Sequence, residues 1–200
     1  MLRLIITRHG ETRENLLGVF QGHLPGRLTH IGIDQAKRLA ERLKSERFDH
    51  IYSSDLARVK DTTKEIVRFH PDTPLSYVTN LREIHLGELQ GRKKSALSEF
   101  IQDPHAFQYG PPGGETYKAF QERAIAFLEM IKTKHANQTI LLVCHQNIGK
   151  ALIATLTGKD LKEMNAMGNL KNTSISKLEI GPDNSSKLIF YNCCRHLEGA

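Results

Sequence analysis

Three short polar clusters along the chain contain side chains that could bind and cleave a phosphate ester. The first cluster holds Arg8 and His9, the second ends at Arg58, and the third begins with His145. Each comes directly after an apolar run that is typical of a buried strand. Arginine offers a fixed fork of donors that matches phosphate oxygens, and histidine can act as nucleophile or proton carrier. These residue types indicate phosphoryl transfer, which depends mainly on positioning and charge stabilisation.

A carboxylate further along the chain, Glu83, could complete such a site. A carboxylic acid can protonate a leaving oxygen and then, once ionised, accept a proton from water. His85 would lie on the same side as Glu83 if this segment is extended. No cluster of His, Cys, Asp or Glu shows the spacing of metal ligands, so we expect a site without a metal or other cofactor.

The elements that must position these residues alternate between strand-like and helix-like patterns. The predicted strands are 2–7, 50–53, 75–78, 139–144, 174–180 and 188–192, the last two forming a hairpin. The predicted helices are 29–45, 55–69 with Asp55 as N-cap, 95–102, 116–135 with Thr116 as N-cap, and 148–156. This order favours a three-layer α/β/α sandwich with a mostly parallel central sheet. In such sheets ligands bind outside the carboxyl ends of the strands, where the polar clusters fall.

The composition is that of an ordinary globular protein. The 200 residues suit one domain, residues 1–200, and are 39% hydrophobic and 25% charged. The formal net charge is +6, but Lys and Arg are scattered and there is no Trp, so small acidic ligands are favoured over nucleic acid. No apolar run is long enough to span a bilayer, and we expect no membrane partner.

The cysteines indicate a cellular compartment. The chain has three, of which Cys193 and Cys194 are adjacent and poorly placed to pair with each other. A reducing cytoplasm is the simplest interpretation. The apolar N-terminal residues lack a small-residue cleavage site, so they are predicted to form a buried strand and not a signal peptide.

Five motifs, in order along nearly the whole chain, resemble those of the histidine phosphatase superfamily, also called the phosphoglycerate mutase-like family. The motifs are RHGET at 8–12 followed by Asn15, Gln21 and Gly22, SSDLAR at 53–58, Glu83 with Gly87 and Gly91, PGGET at 112–116, and VCH at 143–145. A single Arg-His-Gly triplet would be weak support, whereas five ordered motifs are specific. The resemblance implies the phosphoglycerate mutase-like fold.

The resemblance also implies roles for the matching residues. His9 would attack phosphorus and become phosphohistidine, and Glu83 would act as acid and then as base. The equatorial oxygens would be surrounded by Arg8, Arg58 and His145, with further contacts from Asn15, Gln21 and Gly22. His9 must start neutral for this cycle, whereas His145 is expected to be a cation that bound phosphate helps to hold protonated.

Departures from the family pattern concern substrate choice. Many relatives have Gly at the position of Gln146. The sequence Cys144-His145-Gln146 instead resembles the bisphosphatase domain that hydrolyses fructose 2,6-bisphosphate. Arg27 stands where relatives often have Pro or Ser. We expect a compact substrate with a second anionic group, held by cations beyond those that bind one phosphate. The candidate substrate-binding residues outside the phosphate site are Arg27, His85, Gln146 and His196.

Three functions are open at this stage. The first is hydrolysis of a small phosphorylated metabolite of the phosphoserine, phosphoglycerate, α-ribazole phosphate or sugar phosphate class, by a monomer or homodimer. The second is phosphoglycerate mutase activity, which the short segment 91–111 and the short C-terminal tail disfavour. The third is a non-catalytic phosphate-binding protein, which the presence of both His9 and Glu83 disfavours.

Overall fold

The computed structural model describes residues 1–96 and 110–198, and its centre is one six-stranded sheet. The strands are β1 (Leu2–Arg8), β2 (His50–Ser54), β3 (Leu75–Val78), β4 (Thr139–Cys144), β5 (Ile175–Ile180) and β6 (Ser186–Cys193). Their order in the sheet is β3-β2-β4-β1-β5-β6. The first four strands run parallel, and β5 and β6 add an antiparallel hairpin at one edge. The predicted mostly parallel sheet is confirmed.

Helices cover both faces of this sheet. They are α1 (Arg13–Leu16), α2 (His30–Leu43), α3 (Ala57–Val67), α4 (Tyr117–Lys134), α5 (Gln146–Leu156) and α6 (Leu161–Ala166). Ile5 of β1 packs in a core with α2 and α3, whereas its neighbours Leu4 and Ile6 pack with α4 and α5. Successive strand residues point to opposite faces, so a strand buried on both sides is apolar throughout. The α/β/α sandwich is confirmed.

The three central strands end at the same level, which brings the polar clusters together. Arg8 pairs with Cys144 across β1 and β4, and Ser53 pairs with Val143 across β2 and β4. The backbone N–H of His9 continues this pairing by donating to the Cys144 carbonyl at 3.1 Å. The residues that follow β1, β2 and β4 therefore meet at one edge of the sheet.

Two glycines let the loop after β1 lie directly on the start of α2. A Cβ atom on Gly10 would lie 2.3 Å from the Gly32 carbonyl oxygen. A Cβ on Gly32 would lie 2.0 Å from the Glu11 carbonyl oxygen. Because the opposing atoms belong to the backbone, a side chain at either position would push the loop that carries His9 away from the helix.

The start of α3 differs from the prediction. Leu56, not Asp55, is the N-cap, and it makes no side-chain capping bond. The Asp55 carboxylate instead accepts from Arg82 Nε at 2.7 Å, an ion pair between distant segments that no local pattern reveals. The Thr116 cap of α4 is confirmed, since its hydroxyl accepts from Ala119 N at 3.1 Å.

Two short helices were not predicted, and one predicted helix cannot be compared. Both α1 and α6 begin with a capping box, formed by Thr12 with Asn15 and by Asp160 with Glu163. The usual sequence signature has Glu or Gln at the fourth position, so it could have revealed α6 but not α1. Of the predicted helix 95–102, the first two residues belong to a 3₁₀ turn, Lys94–Ala96, and the rest lies outside the described residues.

Two further findings concern membranes and disulfides. Across residues 1–96 and 110–198, no helix is long and apolar enough to cross a bilayer. Cys144 is buried, Cys193 and Cys194 are half-buried, and all three thiols are free.

Candidate active site

A cavity of about 310 Å³ opens where β1, β2 and β4 end. The polar residues that line it are Arg8, His9, Asn15, Gln21, Arg58, Glu83, Lys94, Tyr117, Gln146, Asn147 and Asn169. They come from distant parts of the chain and meet because the strands that precede many of them end side by side. Hydrogen bonds fix the orientation of several of these side chains.

His9 lies at the floor of the cavity in a defined tautomer. Its Nδ1 is 2.7 Å from the Gly10 carbonyl oxygen and can only donate there. Its Nε2, 3.3 Å from Arg58 Nε, accepts from that donor and therefore carries the lone pair. Burial, followed by the charges of Arg58 and Arg8, holds the pKa of His9 well below 6.5. His9 is thus neutral, with a nucleophilic Nε2 facing a cation.

Backbone carbonyls of the loop around Gly22 and Leu24 hold the Arg58 side chain. This fully buried side chain donates from Nη1 to the Leu24 carbonyl at 2.5 Å and from Nη2 to the Gly22 carbonyl at 2.8 Å. Burial lowers the pKa of its guanidinium to about 10, so it stays charged at neutral pH. These carbonyls fix the plane of the guanidinium group, and its Nε donates to His9.

Two acceptors anchor the Arg8 side chain. Its Nη1 donates to the Leu170 carbonyl at 2.6 Å and to Gln146 Oε1 at 3.2 Å. Its buried Nε has no hydrogen-bond partner within the part of the chain that the structure describes. Burial lowers the pKa of Arg8 to about 10. A buried, charged donor without a partner is costly unless a ligand supplies the acceptor.

Burial favours the neutral form of His145, so the expected cation depends on the charge of a bound phosphate. The Ser54 hydroxyl lies 2.9 Å from His145 Nε2 and can accept from that nitrogen or donate to it, and it also accepts from Leu56 N at 3.4 Å. His145 Nδ1 is buried and has no partner among the described residues, so it is the ring nitrogen open to a ligand. Burial and the charge of Arg58 hold the pKa of His145 well below 6.5. Its ring lies edge-on to His9, 5.2 Å between centroids.

Glu83 is oriented by the start of α5. Its Oε1 accepts from Ile84 N at 3.0 Å and from Ile148 N at 3.2 Å, and its Oε2 accepts from Asn147 N at 3.1 Å. The first turn of a helix favours an acidic group, because its N–H groups have no partner within the helix. Oε2 accepts only one bond, so it can carry a proton. Glu83 borders the cavity.

The segment 168–173, between α6 and β5, positions three of these residues and was missed by sequence reasoning. Asn172 Nδ2 donates to the His9 carbonyl at 3.0 Å and to Asn15 Oδ1 at 3.3 Å. Asn15 Oδ1 also accepts from Thr12 N at 3.2 Å, so the Asn15 amide nitrogen is the group left for a ligand. Single asparagines in a loop carry no periodicity or motif that would have marked them.

Most predicted site residues meet at the cavity. Arg8, His9, Asn15, Gln21, Gly22, Arg58, Glu83 and Gln146 line it, and His145 lies beside His9. The structure adds lining residues that were not predicted, namely Asn147, Asn169, Lys94 and Tyr117.

Three predicted substrate-binding residues lie elsewhere, which corrects the sequence interpretation. Arg27 lines a separate cleft beside Asp61 of α3. His85 is not among the residues that line the cavity and packs edge-on against His23, 4.7 Å between ring centroids. His196 belongs to a 3₁₀ turn, Arg195–Leu197, that packs on α2, and its Nε2 is 3.3 Å from Thr173 Oγ1.

Fold and site together define a phosphatase of the α/β class, and comparison with known proteins gives its family. Residues 4–192 match the model of the histidine phosphatase superfamily, branch 1. The chain belongs to this superfamily and is a phosphatase. In residues 1–96 and 110–198, no group of three or more His, Cys, Asp or Glu residues is arranged to hold a metal ion.

Relatives with assigned names support this placement. A metal-independent phosphoserine phosphatase from Arabidopsis thaliana is 32% identical over 188 residues, covering 88% of this chain and 76% of that protein. An adenosylcobalamin/alpha-ribazole phosphatase from Salmonella typhimurium is 32% identical over 161 residues, covering 78% and 79%. The structure of a phosphoserine phosphatase from Entamoeba histolytica, in complex with 3-phosphoglyceric acid, superposes with a TM-score of 0.83 at 30% identity, covering 98% and 100%.

Proposed function

We propose that this protein is a metal-independent phosphomonoesterase that hydrolyses a small phosphorylated metabolite through a phosphohistidine formed on His9. The observation that carries the proposal is the tautomer of His9. Its Nδ1 donates to the backbone and its Nε2 keeps a lone pair at the cavity floor, next to a charged guanidinium. A neutral imidazole fixed in this way is a ready nucleophile beside a group that attracts phosphate.

The first step transfers the phosphoryl group. The Nε2 lone pair forms the N–P bond, and the electrons of the ester P–O bond leave on the alcohol oxygen. Glu83, placed at the cavity wall by the N–H groups of α5, gives that oxygen a proton and becomes a carboxylate. The free alcohol departs and His9 carries the phosphoryl group.

The second step returns the enzyme to its starting state. The Glu83 carboxylate takes a proton from a water molecule, and the water oxygen attacks phosphorus. The electrons of the N–P bond return to His9 Nε2, and inorganic phosphate leaves. Glu83 is again protonated and His9 is again neutral, so no redox partner or additional reactant is needed.

Charge on the equatorial oxygens is met by side chains in both steps. At the site, the buried Arg8 Nε and His145 Nδ1 lack a partner among the described residues, and Nδ1 can donate to phosphate when it carries a proton. Asn15 contributes its amide nitrogen. Charge-assisted hydrogen bonds from a preorganised guanidinium are stronger than neutral ones. This donor set supports hydrolysis without a metal ion.

The substrate class is proposed from the relatives. They are named for phosphoserine and for alpha-ribazole phosphate, and one structure holds 3-phosphoglyceric acid. All are small phosphate monoesters, and a cavity of about 310 Å³ suits a ligand of that size. The three free thiols support the reducing cytoplasm that the sequence indicates.

The test is a turnover screen with a matched histidine control. Metal-free protein is assayed on p-nitrophenyl phosphate and on a panel of roughly a hundred phosphorylated metabolites, ranked by kcat/KM. The His9→Ala variant should lose essentially all turnover while His30→Ala, on the exposed first turn of α2, should not. Turnover by His9→Ala within about tenfold of the unaltered protein would exclude the proposed nucleophile.

A further inference from the structure

Resting on the proposed function, we propose that the alcohol released by this phosphatase carries an uncharged apolar group, flat or branched, and not a second anionic group. The apolar part of the cavity carries this inference. Besides Pro111, six apolar or aromatic residues line the cavity, namely Val19, Phe20, Ile84, Leu86, Leu89 and Tyr117. They form what is called here the apolar wall.

The apolar wall lies where the leaving alcohol must be. The ester oxygen has to reach the Glu83 carboxyl, so the rest of the alcohol lies against the neighbours of Glu83. Ile84 follows it directly and is buried. Tyr117, at the first turn of α4, is close enough that the charge of Glu83, added to burial, raises the pKa of its hydroxyl.

Backbone pairing holds the wall in place. Phe20 N donates to the Arg92 carbonyl at 2.9 Å, and the Phe20 carbonyl accepts from Gly91 N at 2.8 Å. Lys94 N donates to the Gly18 carbonyl at 2.8 Å. Val19 and Phe20 thus lie on a short ladder between two chain segments, and both residues line the cavity. A wall built in this way needs little reordering when an apolar ligand binds.

The charges around the cavity do not supply a built second-anion site. Arg8 and Arg58 serve the phosphate, and Arg27 and His196 lie in other clefts. Lys94 is the one further Lys or Arg that lines the cavity within residues 1–96 and 110–198. The segment 97–109 contains no Lys or Arg in its sequence, so it brings no fixed positive charge wherever it lies. One exposed lysine against six apolar side chains favours an apolar alcohol.

The experiment compares alkyl phosphates whose alcohols differ in charge. All of them leave as alkoxides that need a proton from the general acid, so this requirement is the same for each. We expect kcat/KM for 2-phenylethyl phosphate to exceed that for O-phosphoserine and 3-phosphoglycerate at least tenfold. Phe20→Ala and Leu86→Ala should lower the value for 2-phenylethyl phosphate about tenfold and change the value for the anionic esters by less than threefold. Phe20→Leu, which keeps an apolar side chain, should recover most of the loss.

The controls separate this inference from the proposed function. Lys93→Ala, beside the cavity but not lining it, should leave every substrate unchanged. Equal or better turnover of the anionic esters, or a tenfold loss on those esters alone in Lys94→Ala, would overturn the apolar-alcohol proposal while leaving the phosphatase intact. Failure to hydrolyse even p-nitrophenyl phosphate would overturn both.

Discussion

Replacing Asn172 with Asp should weaken phosphate binding, although the side chain changes by one atom and does not line the cavity. The Asn172 amide nitrogen donates to the His9 carbonyl at 3.0 Å and to Asn15 Oδ1 at 3.3 Å. A carboxylate in its place can only accept, so two acceptors would face it. The Asn15 amide would turn to donate to the new carboxylate, and its oxygen would then face the phosphate site.

The magnitude follows from the bonds that are lost. The bond to the His9 carbonyl disappears, the turned Asn15 no longer accepts from Thr12 N, and a donor to phosphate becomes an acceptor. Leaving such a group unsatisfied costs about 1–3 kcal/mol. At about 1.4 kcal/mol for each tenfold change, the inhibition constant of inorganic phosphate should rise about five- to hundredfold. His9 keeps its own side-chain bonds, so kcat should fall less than 1/KM.

The assay is a double-mutant cycle between Asn172→Asp and Asn15→Ala, read as phosphate inhibition of p-nitrophenyl phosphate turnover. If Asn172 acts through Asn15, its substitution should have much less effect once Asn15 is alanine, and the coupling energy should be about 1 kcal/mol or more. Asn184→Asp, the same change in the distant β5–β6 turn, is the matched control. Additive effects within about 0.5 kcal/mol would refute the positioning argument.

The remaining predictions concern the metal, the acid and the nucleophile. Activity should survive excess chelator; recovery from near zero on adding Mg²⁺ would contradict the donor set described here. Glu83→Gln should lower kcat/KM for alkyl phosphates by roughly 10²–10⁴ and kcat/KM for p-nitrophenyl phosphate far less, since this ratio reports formation of phosphohistidine and an aryl oxide leaves without a proton; equal losses in kcat/KM would make Glu83 structural. Because burial and Arg58 lower the pKa of His9, it stays neutral as the pH falls through 6.5. Protonation of His9 should therefore not lower kcat/KM near pH 6.5. A fall in kcat/KM with an apparent pKa at or above 6.5 that is assigned to His9 would show that its pKa is not lowered.

Local patterns were enough to predict the fold and the centre of the site. The apolar runs of β1 and β4 and the helical spacing of α2 and α4 are short-range signals, and parallel strands then bring residues at their carboxyl ends together. The sequence alone therefore predicts that Arg8, His9 and Arg58 meet in one site. Asp55 was misassigned because its partner, Arg82, is distant in sequence.

The periphery of the site depends on tertiary packing that the sequence does not display. His196 was expected at the substrate, but its turn packs on α2, and Arg27 faces a different cleft. The protonation of His145 depends on burial and on the nearby charge of Arg58, neither of which has a sequence signature. Asn172 acts through two contacts with residues more than 150 positions away.

The central claim is that His9 carries the phosphoryl group, and trapping that species tests it most directly. Glu83→Gln should form phosphohistidine from p-nitrophenyl phosphate, because an aryl oxide needs no acid, and should then hydrolyse it slowly, because no base remains. Quenching at alkaline pH, peptide mapping and NMR should locate one phosphoryl group per chain on Nε2 of His9. Label on another residue, or turnover without label at His9, would contradict the account.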